Sequence, residues 1–432
     1  MRGSEVQILS PAPTCRNDPF RTRRWHLSSV VRQIVENSSG TFSPLVFKVA
    51  NGAALGLAAP ASAAAIPVRT ITRSLDGMQK EAIVTYGPTG TSWRLVCDEG
   101  PYLNGSDLAP FPLSFFAAGL AASIMSEVLA LLRARAIGFG RIELVLDNRY
   151  SMVGSALKGT MTGDALPVEI GLNLDSDADD VAIDAVLLDA VASSPACGLL
   201  RDVLANSFSI SHNGHPIPCG RVRAADRDGV AVPNQFDQAR PGPAASFAPG
   251  CIEKLEAAAT VFGVEGGAGS SLQDEQKRTL HVRAVCALRE DGLKAIKVQL
   301  LKPIGSVFRF LADDSAAVGG QERAPPGLAL LSAGIAFCYM TQLGRYAHIV
   351  KKPLASYRIV QDTAFSLPGA SGGTGVPGTA APIATHVFVD TAESDDYARD
   401  LVDMGEQTCY LHAACRASVE LKPGHAPYML SP

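Results

Sequence analysis

Apolar and β-branched residues interleave with polar ones along Val68-Arg69-Thr70-Ile71-Thr72-Arg73, Glu81-Ala82-Ile83-Val84-Thr85-Tyr86 and Trp93-Arg94-Leu95-Val96. The pattern predicts three short strands, with turns at Asp76-Gly77 and Gly87–Gly90. It then changes. Leu113–Arg135 is apolar on nearly every side, follows Pro110 and Pro112, and meets its first basic residue at Arg133. Proline at the start and arginine near the end give the polarity of a helix, and its all-round apolarity predicts one buried at the centre of the fold. Its length would span a membrane, but Ser114, Ser123, Ser126 and Glu127 interrupt it, and a core helix is expected. Strands follow at Ile142–Leu146 and Val168–Leu174. An Asp-rich turn then leads into a helix over Val181–Ala192, and Phe208–Ile210 reads as a closing edge strand.

The same order returns later in the chain. Strands are expected at Leu280–Leu288, Ala295–Leu300 and Val307–Leu311, a buried helix at Leu328–Ile349, strands at Tyr357–Val360 and Thr385–Val389, and a last helix over about Asp395–Cys415. The Gly-rich stretch Pro368–Gly378 lacks the helix and lysine of a phosphate loop and reads as a flexible hairpin. Slid 215 positions along itself, Trp93–Asp147 overlays Phe308–Asp362 without a gap. Gly119 meets Gly334, Met125 meets Met340 and Asp147 meets Asp362, with Asp76-Gly77 on Asp291-Gly292 at the same offset. A step this long means two domains rather than a solenoid. The expected organisation is an extension over 1–65, a first domain over 66–212, a linker with one short helix (Ile252–Phe262) over 213–270, and a second domain over 271–425.

Composition narrows the partners. Hydrophobic residues make up 47% and charged residues 19%, as in a compact globular protein. The formal charge of −4 and the absence of a basic run interleaved with aromatics argue against nucleic acid or a membrane surface as partner. The apolar run near the N-terminus is broken by Arg32, Glu36 and Lys48, which disfavours a secretory signal. Nine scattered cysteines with no CxxC pair fit neither a disulfide framework nor a zinc site, and suggest a reducing, cytoplasmic compartment.

Two cysteines stand out. Cys338 lies mid-way along the second buried helix, in Ala333-Gly334-Ile335-Ala336-Phe337-Cys338, and Cys409 lies on the last helix. Cysteine most often serves as a small buried hydrophobe, so either could be structural. The first copy carries the helix motif as Phe116-Ala117-Ala118-Gly119-Leu120-Ala121-Ala122-Ser123. Strands, a central helix with this motif, further strands and a second helix with its own cysteine resemble the OsmC/Ohr family. The resemblance covers about 145 residues in each copy, nearly the whole chain outside the extension and linker.

That resemblance implies an α+β fold: two OsmC-like domains forming a pseudo-dimer, with curved antiparallel sheets around two buried central helices. It implies a thiol peroxidase acting on small hydrophobic hydroperoxides, with Cys338 attacking, Cys409 resolving, and no metal or organic cofactor. An external dithiol would be the reductant. The family's arginine near the first hairpin would be Arg289, with Arg309 in reserve, holding the thiolate against desolvation. Leu328, Leu331, Ile335 and Phe337 would line the substrate pocket. The family's glutamate at the start of the central helix is missing, since Leu328 stands there (Leu113 in the first copy). The proline that commonly follows the resolving cysteine is missing too, with Tyr410 in its place and Gly198 in the first copy. Ser123 replaces the attacking cysteine of the first copy and Cys197 stands at its resolving position, so that site is expected to be degenerate. A Cys409–His412 pairing one helical turn apart reads as mere proximity. The chain would be a monomeric pseudo-dimer or a homodimer of it. Rival readings are a module binding a small hydrophobic ligand between its halves, and a thiol redox sensor.

Overall fold

The computed structural model describes residues 45–229, 235–258 and 276–425. In chain order the strands are β1 (Val46–Lys48), β2 (Ile66–Ser74), β3 (Lys80–Tyr86), β4 (Thr91–Cys97), β5 (Ile142–Gly154), β6 (Thr162–Ala165), β7 (Val168–Leu174), β8 (Ser207–His212) and β9 (His215–Ile217). They continue with β10 (Ile252–Glu256), β11 (Gln276–Leu288), β12 (Lys294–Lys302), β13 (Val307–Ala312), β14 (Ser356–Phe365), β15 (Ala384–Asp390) and β16 (Leu421–His425). The chain is α+β. Two mixed sheets, in the orders β1-β4-β3-β2-β14-β15-β8-β9 and β10-β13-β12-β11-β5-β7-β16, enclose two central helices, Pro112–Ala134 and Gly327–Ile349.

Each sheet takes strands from both repeats. β2 pairs antiparallel with β14, and β11 with β5. Equivalent ion pairs close the two seams. Arg69 holds Asp362 through two bonds of 2.7 Å, and Arg283 holds Asp147 through two bonds of 2.8 Å. The acids are the two that the sequence overlay matched. β8, expected as a closing edge, runs parallel to β15 of the other repeat and carries β9 outside it. Cross-repeat pairing of this kind leaves neither half able to complete its own sheet.

The central helices are long and apolar enough to cross a membrane, yet 83% and 94% of their apolar windows lie buried between the sheets. Their bounds differ by 215 at both ends. They touch backbone to backbone. A Cβ on Gly119 would fall 2.4 Å from the Leu331 nitrogen, and one on Gly334 would fall 2.5 Å from the Phe116 nitrogen. Phe116 and Leu331 are themselves 215 apart, so the same contact is made twice.

Several boundaries need correction. In the first hairpins the Leu75 N–H bonds the Gln79 carbonyl and the Arg289 N–H bonds the Leu293 carbonyl. The structural offset there is therefore 214, and Asp76-Gly77 does not overlay Asp291-Gly292. The expected extension is only partly outside the fold: residues 1–44 lie beyond the described residues, but β1 is hydrogen-bonded to β4. The expected linker helix is strand β10, paired with β13, and its last residues are not described. Phe47, Val49 and Leu57 from the extension join Phe236 and Ala239 from the linker over Ile71, Ile83, Val360 and Phe388. They form a second small core on the outer face of the first sheet, which is why every residue of β3 is buried. Burial of each such large side chain is worth roughly 1.5–3 kcal/mol.

Candidate functional site

The last long helix of the sequence reading is two helices, Asp395–Thr408 and Tyr410–Arg416, broken at Cys409. Cys409 is extended (φ −76°, ψ 115°) and caps the second helix, its sulfur accepting the His412 N–H at 3.5 Å. The first repeat breaks in the same way at Ser194, between Asp180–Ser193 and Pro195–Arg201, and there the Ser194 hydroxyl accepts the Cys197 N–H at 3.3 Å. Position 194 plus 215 is 409, so Ser194 is the counterpart of Cys409. Cys197 is the counterpart of His412, which corrects its assignment to the resolving position. The proline expected after that position is present in the first repeat as Pro195.

The break brings each capping residue onto its central helix. Ser123 and Ser194 are hydrogen-bonded at 2.9 Å. Their counterparts Cys338 and Cys409 are likewise neighbours within hydrogen-bonding reach, and both are buried free thiols. Burial pushes the Cys338 thiol well up; Cys409 pushes it further, the Leu411 amide pulls it back, and the charge of Glu99 adds to the rise. His412 places Nδ1 3.3 Å from the Cys409 sulfur. Burial holds His412 down to about 4, so its ring is neutral near pH 7. The ring is packed between Tyr339 and Phe208, with centroids 5.0 and 5.5 Å away.

Along the same helix face Cys338, Thr341, Gln342 and Arg345 follow at three- and four-residue spacing. Glu99, from the loop after β4 of the other repeat, accepts Thr341 Oγ1–H at 2.9 Å and Tyr102 O–H at 2.8 Å. Two arginines are buried in this region, Arg345 and Arg278 at the start of β11. Alternation along β11 turns Arg278 inward with Leu280, Val282, Ala284 and Cys286. Tyr150 and Tyr410 pack at 5.5 Å, and both hydroxyls are buried without a hydrogen-bond partner.

The predicted arginines are elsewhere. Arg289 is exposed on its hairpin and paired with Asp291 at 3.0 Å, and Arg309 pairs with Glu253 at 2.6 Å. A hairpin tip at the sheet margin cannot reach a thiol buried between the sheets. The predicted pocket residues are also displaced. Leu328 lines the cavity beside Ser123, because the start of each central helix packs against the middle of the other. Leu331 packs on Gly119, while Ile335 and Phe337 are core residues, Phe337 with its ring 5.1 Å from Phe115.

The Ser123 site opens on a cavity of about 60 Å³ lined also by Ser126, Glu127, Asp314 and Tyr86. Ser126 donates to Asp314 at 2.9 Å, as Thr341 does to Glu99, and Lys294 meets the same acid at 2.6 Å. Glu127 accepts the Ala370 and Ser371 amides at 2.8 and 3.1 Å, and the Gly369 amide bonds the Ser193 carbonyl at 2.9 Å. The Gly-rich stretch connects the antiparallel pair β14 and β15, as expected of a hairpin, and is tied down at several points. Among the described residues no three His, Cys, Asp or Glu side chains gather as a metal ligand set.

Arg278 was missed because the strand was expected to begin at Leu280; extending its alternation by one pair places a charge on the core face. Ser194 was missed because the helix break was not foreseen. No protein-family profile matches the chain, and no curated protein matches it. Among solved structures, the chain is similar to an OsmC-like hydroperoxide resistance protein from Jannaschia sp. CCS1, at 20% identity and a TM-score of 0.18, over 28% of this chain and 75% of that one.

Proposed function

We propose that the chain is a fused pair of OsmC-like domains in which Cys338 and Cys409 reduce an organic hydroperoxide. The observation that carries this reading is the side-by-side pair of buried thiols with an imidazole nitrogen 3.3 Å from Cys409. Cys338 attacks the distal peroxide oxygen; the O–O bond breaks, the alcohol leaves with the thiol proton, and Cys338 becomes a sulfenic acid. Cys409 then attacks that sulfur. An S–S bond forms, and hydroxide leaves as water with the Cys409 proton, which passes through His412 Nδ1. An external dithiol restores both thiols. The neutral His412 suits this passage, since a protonated ring could not accept the proton.

With tert-butyl hydroperoxide and a dithiol, the native protein should turn over and Cys338→Ser should not, while Cys409→Ser should stall after one equivalent. Peroxide consumption unchanged in Cys338→Ser would refute the reading. The rate should show no imidazole step near pH 6.5 and should fall as pH drops toward about 4, where His412 takes up its proton. A step near 6.5 that disappears in His412→Asn would show that the ring is charged in the working enzyme.

A second reading, a non-catalytic ligand-binding module, is favoured by the high Cys338 thiol, which burial keeps protonated at rest. Slow alkylation of Cys338 combined with no turnover would select it.

A further inference from the structure

The hairpin between β11 and β12, strand β13, the loop before the second central helix and the segment leading into β10 meet around a cavity of about 560 Å³. That volume is in the range of small-molecule sites. Three arginines line it, one from each of three segments: Arg289 from the hairpin, Arg309 from β13 and Arg323 from the loop. Phe247, Ala248 and Leu311 supply an apolar wall. Phe247 is fixed by an edge-on contact with Trp93 of the first repeat, 6.2 Å between centroids, and the Ala248 amide bonds the Arg323 carbonyl at 2.6 Å.

Acids position the arginines without using them up. Arg289 meets Asp291 through bonds of 3.1 and 3.0 Å, Arg323 donates to the Asp291 carbonyl at 2.6 Å, and Arg309 donates to Glu253 at 2.6 Å. Each guanidinium carries five donors, so these four bonds occupy a minority of them. The Nε atoms of Arg309 and Arg323 are buried with no hydrogen-bond partner among the described residues. Asp313 lies 3.7 Å from Arg323, but it is engaged by the amides of Asp314, Gln321 and Arg323. The lining thus holds three cations against two acids, Glu253 and Asp291, and the exposed Lys297 stands opposite Arg309 on the same face.

The first repeat is built differently at this place. Leu75 and Leu108 stand where Arg289 and Arg323 stand here, and Arg94, the counterpart of Arg309, is buried on Glu81. Phe47 stands opposite Arg94 as Glu253 stands opposite Arg309. The basic lining therefore does not follow from the shared fold. We propose that this cavity binds a phosphomonoester carried on an apolar group. Guanidinium groups arriving from three segments suit an oxyanion whose three terminal oxygens point in different directions, whereas a carboxylate is met by a single fork. The apolar wall receives the organic part. The cavity lies at the sheet margin, away from the buried thiols, so the proposal stands independently of the peroxidase reading.

Calorimetric titration of the full chain with 1-naphthyl phosphate tests it. This probe should bind about tenfold or more tightly than either 1-naphthol or inorganic phosphate, the difference expected when hydrogen bonds to a charged group are gained. Arg289→Met removes an exposed side chain and should weaken binding about tenfold, as should Arg309→Met. Arg149→Met, a surface change on β5 outside the cavity, should leave binding as it is, and so should Cys338→Ser. Equal affinity for 1-naphthol would overturn the anion site, and equal affinity for inorganic phosphate would overturn the role of the apolar wall. Binding of 1-naphthoate as tight as that of the phosphate would overturn the ligand class. Binding that survives both Arg289→Met and Arg309→Met, or that falls equally in Arg149→Met, would place the ligand elsewhere and overturn the proposal.

Discussion

The two ends of the packed helix pair share a backbone and differ in chemistry. At one end stand Cys338, Cys409, His412 and Arg345; 215 positions earlier the other end has Ser123, Ser194, Cys197 and Ala130. Both ends break the outer helix at the capping residue, and both bring that residue against the central helix. The break therefore does not depend on the thiols. Serine is a preferred helix cap and cysteine is not, so the 3.3 Å hydroxyl cap at Ser194 is the stabilising version and the 3.5 Å sulfur cap at Cys409 the weaker one. A poorer cap retained at only one end is what a site kept for its chemistry would show. The polar atoms beside the two pairs differ as well. The hydroxyls of Tyr150 and Tyr410 and the Nε2 atom of His412, near the thiols, are buried without a partner, whereas Ser123, Ser126, Glu127 and Asp314 are satisfied within the chain.

The strongest way to sharpen this comparison is to convert the silent end. Ser123→Cys combined with Ser194→Cys should give a second oxidisable pair, because the native hydroxyls are already 2.9 Å apart. Oxidation should close a loop of about 70 residues and stabilise the fold by about 4 kcal/mol. Chemical denaturation of the oxidised and reduced double variant would measure it, and no difference would show that the two ends do not share a geometry.

A smaller effect tests whether the ends are related through the helix crossing. Gly119→Ala and Gly334→Ala each place a methyl within 2.5 Å of backbone on the opposite helix. Each should cost about 1–3 kcal/mol from overpacking, and to a similar extent. A loss at one position only would break the equivalence.

The smallest effect concerns the seams. Asp147 is opposed by burial, but the Arg283 and His281 bonds outweigh it and hold its carboxyl below the ordinary value. Its stabilisation is therefore present above the unfolded-state value near 4 and is lost as pH falls through the lower folded value. Asp147→Asn should cost about 1 kcal/mol at pH 7, and the gap to the native protein should shrink as the solution is acidified below about 4. A gap constant with pH would remove the carboxylate's charge from the account.

Much of the fold was legible because it rests on periodicity. Alternation found the strands that flank the central helices but not β1, β6, β9, β10 or β16, and all-round apolarity found both central helices, whose bounds keep the repeat to the residue. What escaped were features fixed by tertiary contact. The second core over β3 joins residues far apart in sequence that carry no strong local pattern. The inward turn of Arg278 depends on where β11 begins. The site fared similarly. Cys338 and Cys409 could be singled out by position, but a hairpin arginine chosen by linear correspondence is held at the surface by Asp291, and the acid near the thiols, Glu99, comes from the opposite repeat. Strand exchange across the seams puts residues of each repeat at the other's site, which no reading of one repeat at a time could find.

The most direct measurement of the central claim is peptide mapping by mass spectrometry after one equivalent of organic hydroperoxide. The account predicts a disulfide between Cys338 and Cys409, with Cys197, Cys286 and Cys415 still reduced. Oxidation spread over those other thiols, or none at Cys338, would contradict it.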